Sequence, residues 1–170
     1  MSRQVWIVAT AIATSIAGCA ATFQPAPRLI WNASASEPIG LYAMRPASRL
    51  RVSELVVVQP PAALARFMDR RRYQPAGVPM LKEVAALSGQ RVCRDRRTVR
   101  IDGRVAGEAL DRDFAGLPLP VWQGCERISR GQVFLMNERS HASFDGRYFG
   151  ALPVASVVGE ARPLWVRRGN

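Results

Sequence analysis

The chain has 170 residues, a net charge of +11 and a hydrophobic share of 48%. That share excludes a largely disordered chain, and the length allows one compact domain of about 140 residues once an N-terminal segment is set aside. Twelve Pro and thirteen Gly, spread throughout, favour many short strands and turns over a helical bundle.

The charge is uneven in kind. Of 24 basic residues, 23 are Arg and one, Lys82, is Lys. The Arg residues are scattered, with short clusters at Arg70 to Arg72, Arg94 to Arg97 and Arg167 to Arg168. No zinc-finger, homeodomain or RNA-binding signature accompanies them, so nucleic acid is not an expected partner, whereas attraction to an anionic membrane surface is. In a chain that uses Arg wherever charge suffices, a lone Lys suggests a task Arg cannot perform, namely losing its proton.

No charged residue lies between Arg3 and Arg28. Val5 to Phe23 has about the length of a helix that crosses a bilayer, although Ala, Thr and Ser make it only moderately apolar. A cleaved signal segment is an alternative, and Ile16-Ala17-Gly18-Cys19 offers a third, a lipoprotein site acylated at Cys19. An uncleaved anchor is the favoured reading, with residues 1–24 as anchor and residues 25–170 as an extracytoplasmic domain. Arg3 on the short N-terminal flank agrees with an inside N-terminus. Cys93 and Cys125 then lie in an oxidising space and are expected to pair, closing a loop worth on the order of 3 kcal/mol.

Pro25-Ala-Pro27 is expected to end the helix and stiffen the exit from the membrane. Leu55 to Gln59 reads as a buried strand stopped by Pro60-Pro61, and Ala62 to Tyr73 as a short basic helix inserted between strands. Met80 to Leu87 is apolar around Lys82. Arg91 to Cys93, Thr98 to Ile101 and Arg104 to Ala106 read as short strands, with Asp102-Gly103 as a hairpin turn. Leu117 to Pro120 is an extended connector, and Val133 to Asn137 and Ala155 to Val158 are further strands. The expected fold is mainly antiparallel β, with one N-terminal membrane helix and one small inserted helix.

Familiar hydrolase arrangements are excluded by inspection. His141 is the sole His, and neither a Gly-x-Ser-x-Gly elbow nor a Ser-x-x-Lys motif occurs. A Ser-His-Asp triad would have to use His141, which sits in a polar, loop-like stretch. No cluster has metal-ligand spacing, so no metal and no cofactor are expected. A Ser-Lys dyad is the remaining serine-nucleophile option. Val78 to Leu81 and Val84 to Leu87 supply apolar surroundings that depress a lysine's pKa, while Glu83, next along a strand, points to the opposite face.

Asn32-Ala-Ser34-Ala-Ser36-Glu-Pro38-Ile-Gly40-Leu-Tyr42 resembles the nucleophile motif of type I signal peptidases. It is more similar still to that of the conjugative-transfer (TraF-type) pilin-maturation peptidases, where Ser-x-Pro-x-Gly-Leu-Tyr follows the membrane anchor. Lys82-Glu-Val-Ala-Ala-Leu-Ser-Gly89 resembles the family's lysine segment, and Ser143-Phe-Asp145-Gly-Arg147-Tyr-Phe-Gly150 its Ser-x-Asp-Ser-Arg-Tyr-Phe-Gly box. The resemblance implies a signal-peptidase-like fold in the inner membrane with the catalytic domain facing the periplasm. It implies Ser36 as nucleophile, Lys82 as general base and a Ser34 hydroxyl that helps hold the oxyanion. Ser143 would aim the amine, and Asp145 with Arg147 would form a supporting ion pair, the aspartate being a third catalytic member in some relatives. Pro38 and Gly40 would set the turn that presents Ser36, with Tyr42, Tyr148 and Phe149 in the core.

The implied substrate is a pilin precursor or another exported preprotein, added in extended form along a strand edge. The resemblance leaves open release of the acyl group to water or, as in some relatives, to the pilin's own amino terminus to give a cyclic product. Alternatives are a general signal peptidase and a non-catalytic lipoprotein component of a secretion or conjugation channel. The chain departs from the signal-peptidase pattern at Asn137-Glu-Arg139-Ser140, where Gly-Asp-Asn-Arg is usual. It also carries Ser88 for Pro, Gln90 for Asp and Gly146 for Ser, departures that favour a specialised relative.

Overall fold

The computed structural model describes residues 3–22 and 28–167. The first of these segments is helix α1 (Arg3–Thr22), 20 residues long, or about 30 Å at 1.5 Å per residue. Its Thr10 and Thr14 hydroxyls bond back to the carbonyls of Trp6 (2.8 Å) and Thr10 (2.9 Å), so neither needs a partner outside the helix. Among the described residues, no helix is long and apolar enough to cross a membrane. The predicted helix is present, but Ala, Thr and Ser dilute its apolar character. The predicted Pro25-Ala-Pro27 exit, Phe23, Arg168 and the expected boundary after residue 24 lie outside the described residues.

The rest is mainly antiparallel β. The strands are β1 (Leu29–Asn32), β2 (Gly40–Arg45), β3 (Leu55–Val58), β4 (Met80–Ala86), β5 (Arg91–Asp95), β6 (Thr98–Ile101), β7 (Arg104–Glu108), β8 (Gly124–Arg127), β9 (Gln132–Leu135), β10 (Leu152–Pro153) and β11 (Val157–Val166). One sheet has the order β1-β2-β11-β3-β4-β9-β10, and a second the order β7-β6-β5-β8. Two short helices, α2 (Ala62–Arg70) and α3 (Gly146–Phe149), complete the described structure together with a single 3₁₀ turn at Val154–Ser156.

Strand β4 is the hub, because it is apolar apart from Lys82 and Glu83, and all its residues but Glu83 are buried. On one side Met80 and Val84 join Val56, Val58, Leu135 and the α2 residue Met68. On the other, Ala85 and Ala86 join Phe134 and Met136 and reach Val92 and Val99 of the second sheet. A register shift between Val84 and Ala86 against β9 bends the strand so that it serves both clusters. Val56, Val58 and Val84 are fully buried, each contributing on the order of 1.5–3 kcal/mol by removal from water.

Helix α2 starts immediately after Pro60-Pro61, as expected, but ends at Arg70 rather than Tyr73. Arg72 adopts a left-handed φ of 57°, and Tyr73 turns inward to pack against Phe67 and Phe144. The Asp102-Gly103 hairpin is as expected, with φ of 47° and 83° at its two central residues, the pattern of a tight primed turn. Ala155 and Ser156, expected in a strand, lie in the 3₁₀ turn, and the strand that follows runs on for ten residues to Val166. Its outer half alternates poorly and carries Pro163, which hid it. Cys93 and Cys125 sit directly opposite each other on β5 and β8 and form the expected disulfide, with an S–S distance of 2.08 Å.

Candidate active site

The three sequence motifs are joined by side chains: Asn137, beyond β9, bonds the Ser36 carbonyl and the Leu81 carbonyl of β4, and Lys82 of β4 bonds Ser143. Ser36 lies in the loop that joins β1 to β2, and that loop is built around Asn32, the last residue of β1. The Asn32 amide nitrogen donates to the carbonyls of Ser34 (3.0 Å), Glu37 (3.1 Å) and Pro38 (3.1 Å), while its Oδ1 accepts from the Ser34 N–H (3.1 Å). The Tyr42 hydroxyl donates to the Pro38 carbonyl at 2.6 Å from beneath. These bonds turn the loop's carbonyls inward and leave the serine hydroxyls outside, with Ser34 Oγ and Ser36 Oγ 3.0 Å apart. Gly40 opens β2 because the strand lies flush on β11: a Cβ there would strike the carbonyl of Trp165 and come within 2.6 Å of Val166 Cα.

Lys82 projects from the middle of β4 into the protein and is 4% exposed. Its Nζ donates to Ser143 Oγ at 2.7 Å. Burial pushes the amine down, Asp145 opposes that, Arg147 reinforces it and Glu37 opposes it, leaving a pKa of about 8 against an ordinary 10.5. Glu83 is not among the charges that set this value, in keeping with its place on the other side of the strand. Ser36 and Lys82 do not hydrogen-bond each other: the serine hydroxyl meets Ser34 and the amine meets Ser143.

Beneath the amine, Asp145 and Arg147 are wholly buried. Asp145 caps α3 by accepting the Arg147 N–H (3.1 Å), and its two oxygens receive Nε (2.9 Å) and Nη2 (2.8 Å) of the same arginine. Arg147 Nη2 also donates to the Ser140 carbonyl at 2.6 Å, fixing the loop that carries Ser143. This fork-to-fork geometry satisfies two buried charges that would otherwise be costly. Gly146 is required between them, since a Cβ would lie 2.7 Å from the Leu135 carbonyl and 2.8 Å from the Phe134 ring. Tyr42 and Tyr148 are buried and Phe149 is partly buried against the core.

Three residues at the site carry no motif signal of their own. Asn32, the last residue of β1, and Asn137, just beyond β9, are both buried, and a polar residue ending an apolar run is the available clue. Glu37 follows the candidate nucleophile and is half-buried. Burial lifts its carboxyl to about 7, with Glu83 adding to the rise and Lys82 and Arg139 working against it. His141 is exposed, and among the described residues no three His, Cys, Asp or Glu side chains could together hold a metal ion. The chemistry available here is that of a hydroxyl pair and a buried amine with a depressed pKa.

The chain is 36% identical over 146 residues to a probable conjugal transfer protein TraF of Sinorhizobium fredii (strain NBRC 101917 / NGR234), covering 78% of this chain and 74% of that protein. It is 34% identical over 145 residues to the conjugal transfer protein TraF of Agrobacterium tumefaciens (strain 15955), covering 79% and 80%. A plasmid transfer protein TraF of Escherichia coli matches at 28% over 142 residues, covering 78% and 80%. Among solved structures, a signal peptidase I of Enterococcus faecalis V583 superposes with a TM-score of 0.40 at 18% identity, over 66% of this chain and 97% of that one. The family described as signal peptidase, peptidase S26, matches residues 1–166, and the chain belongs to that family.

Proposed function

We propose that the chain is a membrane-anchored serine endopeptidase with a Ser36–Lys82 dyad, removing the leader of a conjugative pilin precursor on the periplasmic side of the inner membrane. The carrying observation is the sole lysine, buried in β4, hydrogen-bonded to Ser143 and held at about 8, so that a substantial fraction is neutral near pH 8. The TraF relatives named for conjugal and plasmid transfer support the substrate class. The anchor is proposed although no described helix has the length and apolarity of a membrane span; α1 satisfies its threonine hydroxyls internally, which lowers the cost of placing them in lipid. Trp31 and Trp165 support the anchor: they stack at 6.0 Å and stand 58% and 59% exposed, as aromatic side chains do at a membrane interface.

In the mechanism, an extended leader segment binds with its scissile carbonyl carbon at Ser36 Oγ. Neutral Lys82 takes the serine proton as the C–O bond forms, and the Ser36 N–H with the Ser34 hydroxyl holds the oxyanion. On collapse, the C–N bond breaks and the protonated amine of Lys82 returns its proton to the departing nitrogen. Lys82 then deprotonates a water that attacks the acyl ester, regenerating Ser36 and releasing a carboxylate. Ser143 keeps the amine aimed throughout. Ser36 and Lys82 are not yet bonded in the free protein, as is common before substrate closes a catalytic hydrogen bond.

The test is processing of a co-expressed pilin precursor in membranes by wild type, Ser36→Ala and Lys82→Arg. Both variants should accumulate folded protein and leave the precursor uncut, since an arginine stays protonated. Normal processing by Lys82→Arg would refute the dyad. Failure of wild type on this precursor, with cleavage of another exported preprotein, would refute the pilin assignment alone.

A further inference from the structure

The structure assigns Asn137 as the positioning residue that holds the Ser36 loop in register with the Lys82 strand, an inference that rests on the dyad reading. Ser36 and Lys82 come from elements far apart in the chain and share no direct bond. What joins them is one buried carboxamide. The Asn137 side-chain nitrogen donates to the Ser36 carbonyl at 3.2 Å and to the Leu81 carbonyl at 3.3 Å, while its Oδ1 accepts the Glu83 N–H at 3.0 Å. One planar group therefore grips the backbone on both sides of Lys82 and the backbone of the nucleophile itself.

The grip is itself fixed. Asn137 is 1% exposed, lies just past Met136 beyond the end of β9, and its N–H donates to Asp145 Oδ2 at 3.1 Å. The carboxylate held by Arg147 thus anchors the residue that aligns Ser36, besides acting on the Lys82 amine. The position needs two donors and one acceptor in a single plane, a set that an amide supplies and that carboxylate, hydroxyl and aliphatic side chains of this size do not. Asn32 shapes the Ser36 loop internally; Asn137 sets where that shaped loop stands relative to β4.

Displacing a nucleophile from its base by about 1 Å costs roughly 100-fold in rate. Asn137→Ala removes all three bonds. Asn137→Asp keeps the bond from the Glu83 N–H, loses both donors and adds a negative charge beside the Lys82 backbone, which favours the ammonium. The experiment uses the full chain in detergent micelles and two readouts: cleavage of the purified pilin precursor as a function of pH, and backbone hydrogen exchange. Both variants should lower kcat per folded molecule about 100-fold with KM within about twofold, and Asn137→Asp should also move the acid limb of the pH profile upward. Exchange should rise selectively at residues 34–37 in both variants while the second sheet is unchanged.

A kcat per folded molecule within about threefold of wild type would show that Asn137 is merely structural and overturn the inference. Unchanged exchange at residues 34–37 would overturn it whatever the activity. If wild type cuts nothing while exchange in the variants rises, the tether stands and the peptidase reading falls.

Discussion

Replacing Lys82 by Met tests the central electrostatic claim without any substrate. Lys82 is 4% exposed and its pKa falls from 10.5 to about 8 in the folded state. At 1.36 kcal/mol per pKa unit, that depression is worth about 3 kcal/mol. A lysine whose folded pKa lies below its unfolded value binds fewer protons in the native state, so stability rises with pH between about 8 and 10.5. Below pH 8 the full cost of burying an ammonium is present; above 10.5 it has gone. Glu37 contributes in a separate window, because a carboxyl raised to about 7 makes stability fall between pH 4.5 and 7. The two tyrosines with raised pKa values act only above pH 10.

Thermal unfolding of the full chain at pH 7, 8, 9 and 10 reads the effect. Wild type should gain roughly 5–10 °C in Tm across this range, which captures about 2.5 kcal/mol of the effect, taking 2–4 °C per kcal/mol for a domain of this size. Lys82→Met should show a nearly flat profile. Losing the Ser143 hydrogen bond lowers the variant by about 1 kcal/mol at every pH and leaves the slope untouched. Parallel profiles for wild type and variant would mean that Lys82 keeps its proton at ordinary pH, and the base mechanism would fail.

The rate profile is expected to follow the same amine: kcat/KM should rise with pH through about 8, and Glu37→Gln should move that limb to lower pH, because the Glu37 charge supports the ammonium. An upward shift would contradict this. Ser34→Ala, at an exposed hydroxyl 3.0 Å from Ser36 Oγ, should lose about 100-fold or more in kcat with an unchanged Tm; an unaltered rate would remove Ser34 from the oxyanion site. Gly146→Ser, which restores the residue usual in signal peptidases, should destabilise by about 1–3 kcal/mol, since its Cβ would meet the Leu135 carbonyl at 2.7 Å; chemical denaturation measures it. Replacing both Cys93 and Cys125 by Ala opens a loop with a sequence separation of 32 and should cost about 3–4 kcal/mol in the same assay.

Much of this protein was legible in its residues. The buried strands at Leu55 and Met80, the inserted helix after two prolines and the Asp102-Gly103 hairpin are local, because apolar runs, proline and positive φ act within a few residues. Ser36, Lys82, Ser143 and Asp145 were marked by motif and by the oddity of one lysine among 23 arginines, and the pairing of Cys93 with Cys125 was expected from the oxidising space proposed for them. Strands β1 and β8 and the length of β11 were not legible, since edge and solvent-facing strands carry no clean alternation; β2, an internal strand, was not read as one because its Gly40-Leu-Tyr42 start was absorbed into the serine motif. The motif implied the bond from Lys82 to Ser143, but no pattern said that Ser36 and Lys82 stand unbonded in the free protein, that Glu37 is half-buried and feels the Glu83 charge, or that Asn32 and Asn137 organise the nucleophile loop. Those facts arise between residues up to 101 positions apart, as with Asn137 and Ser36. A hydrogen bond's partner is chosen by where tertiary packing sets two backbones. The sequence alone therefore marked the groups whose chemistry makes them candidates, and the fold decided which of them touch.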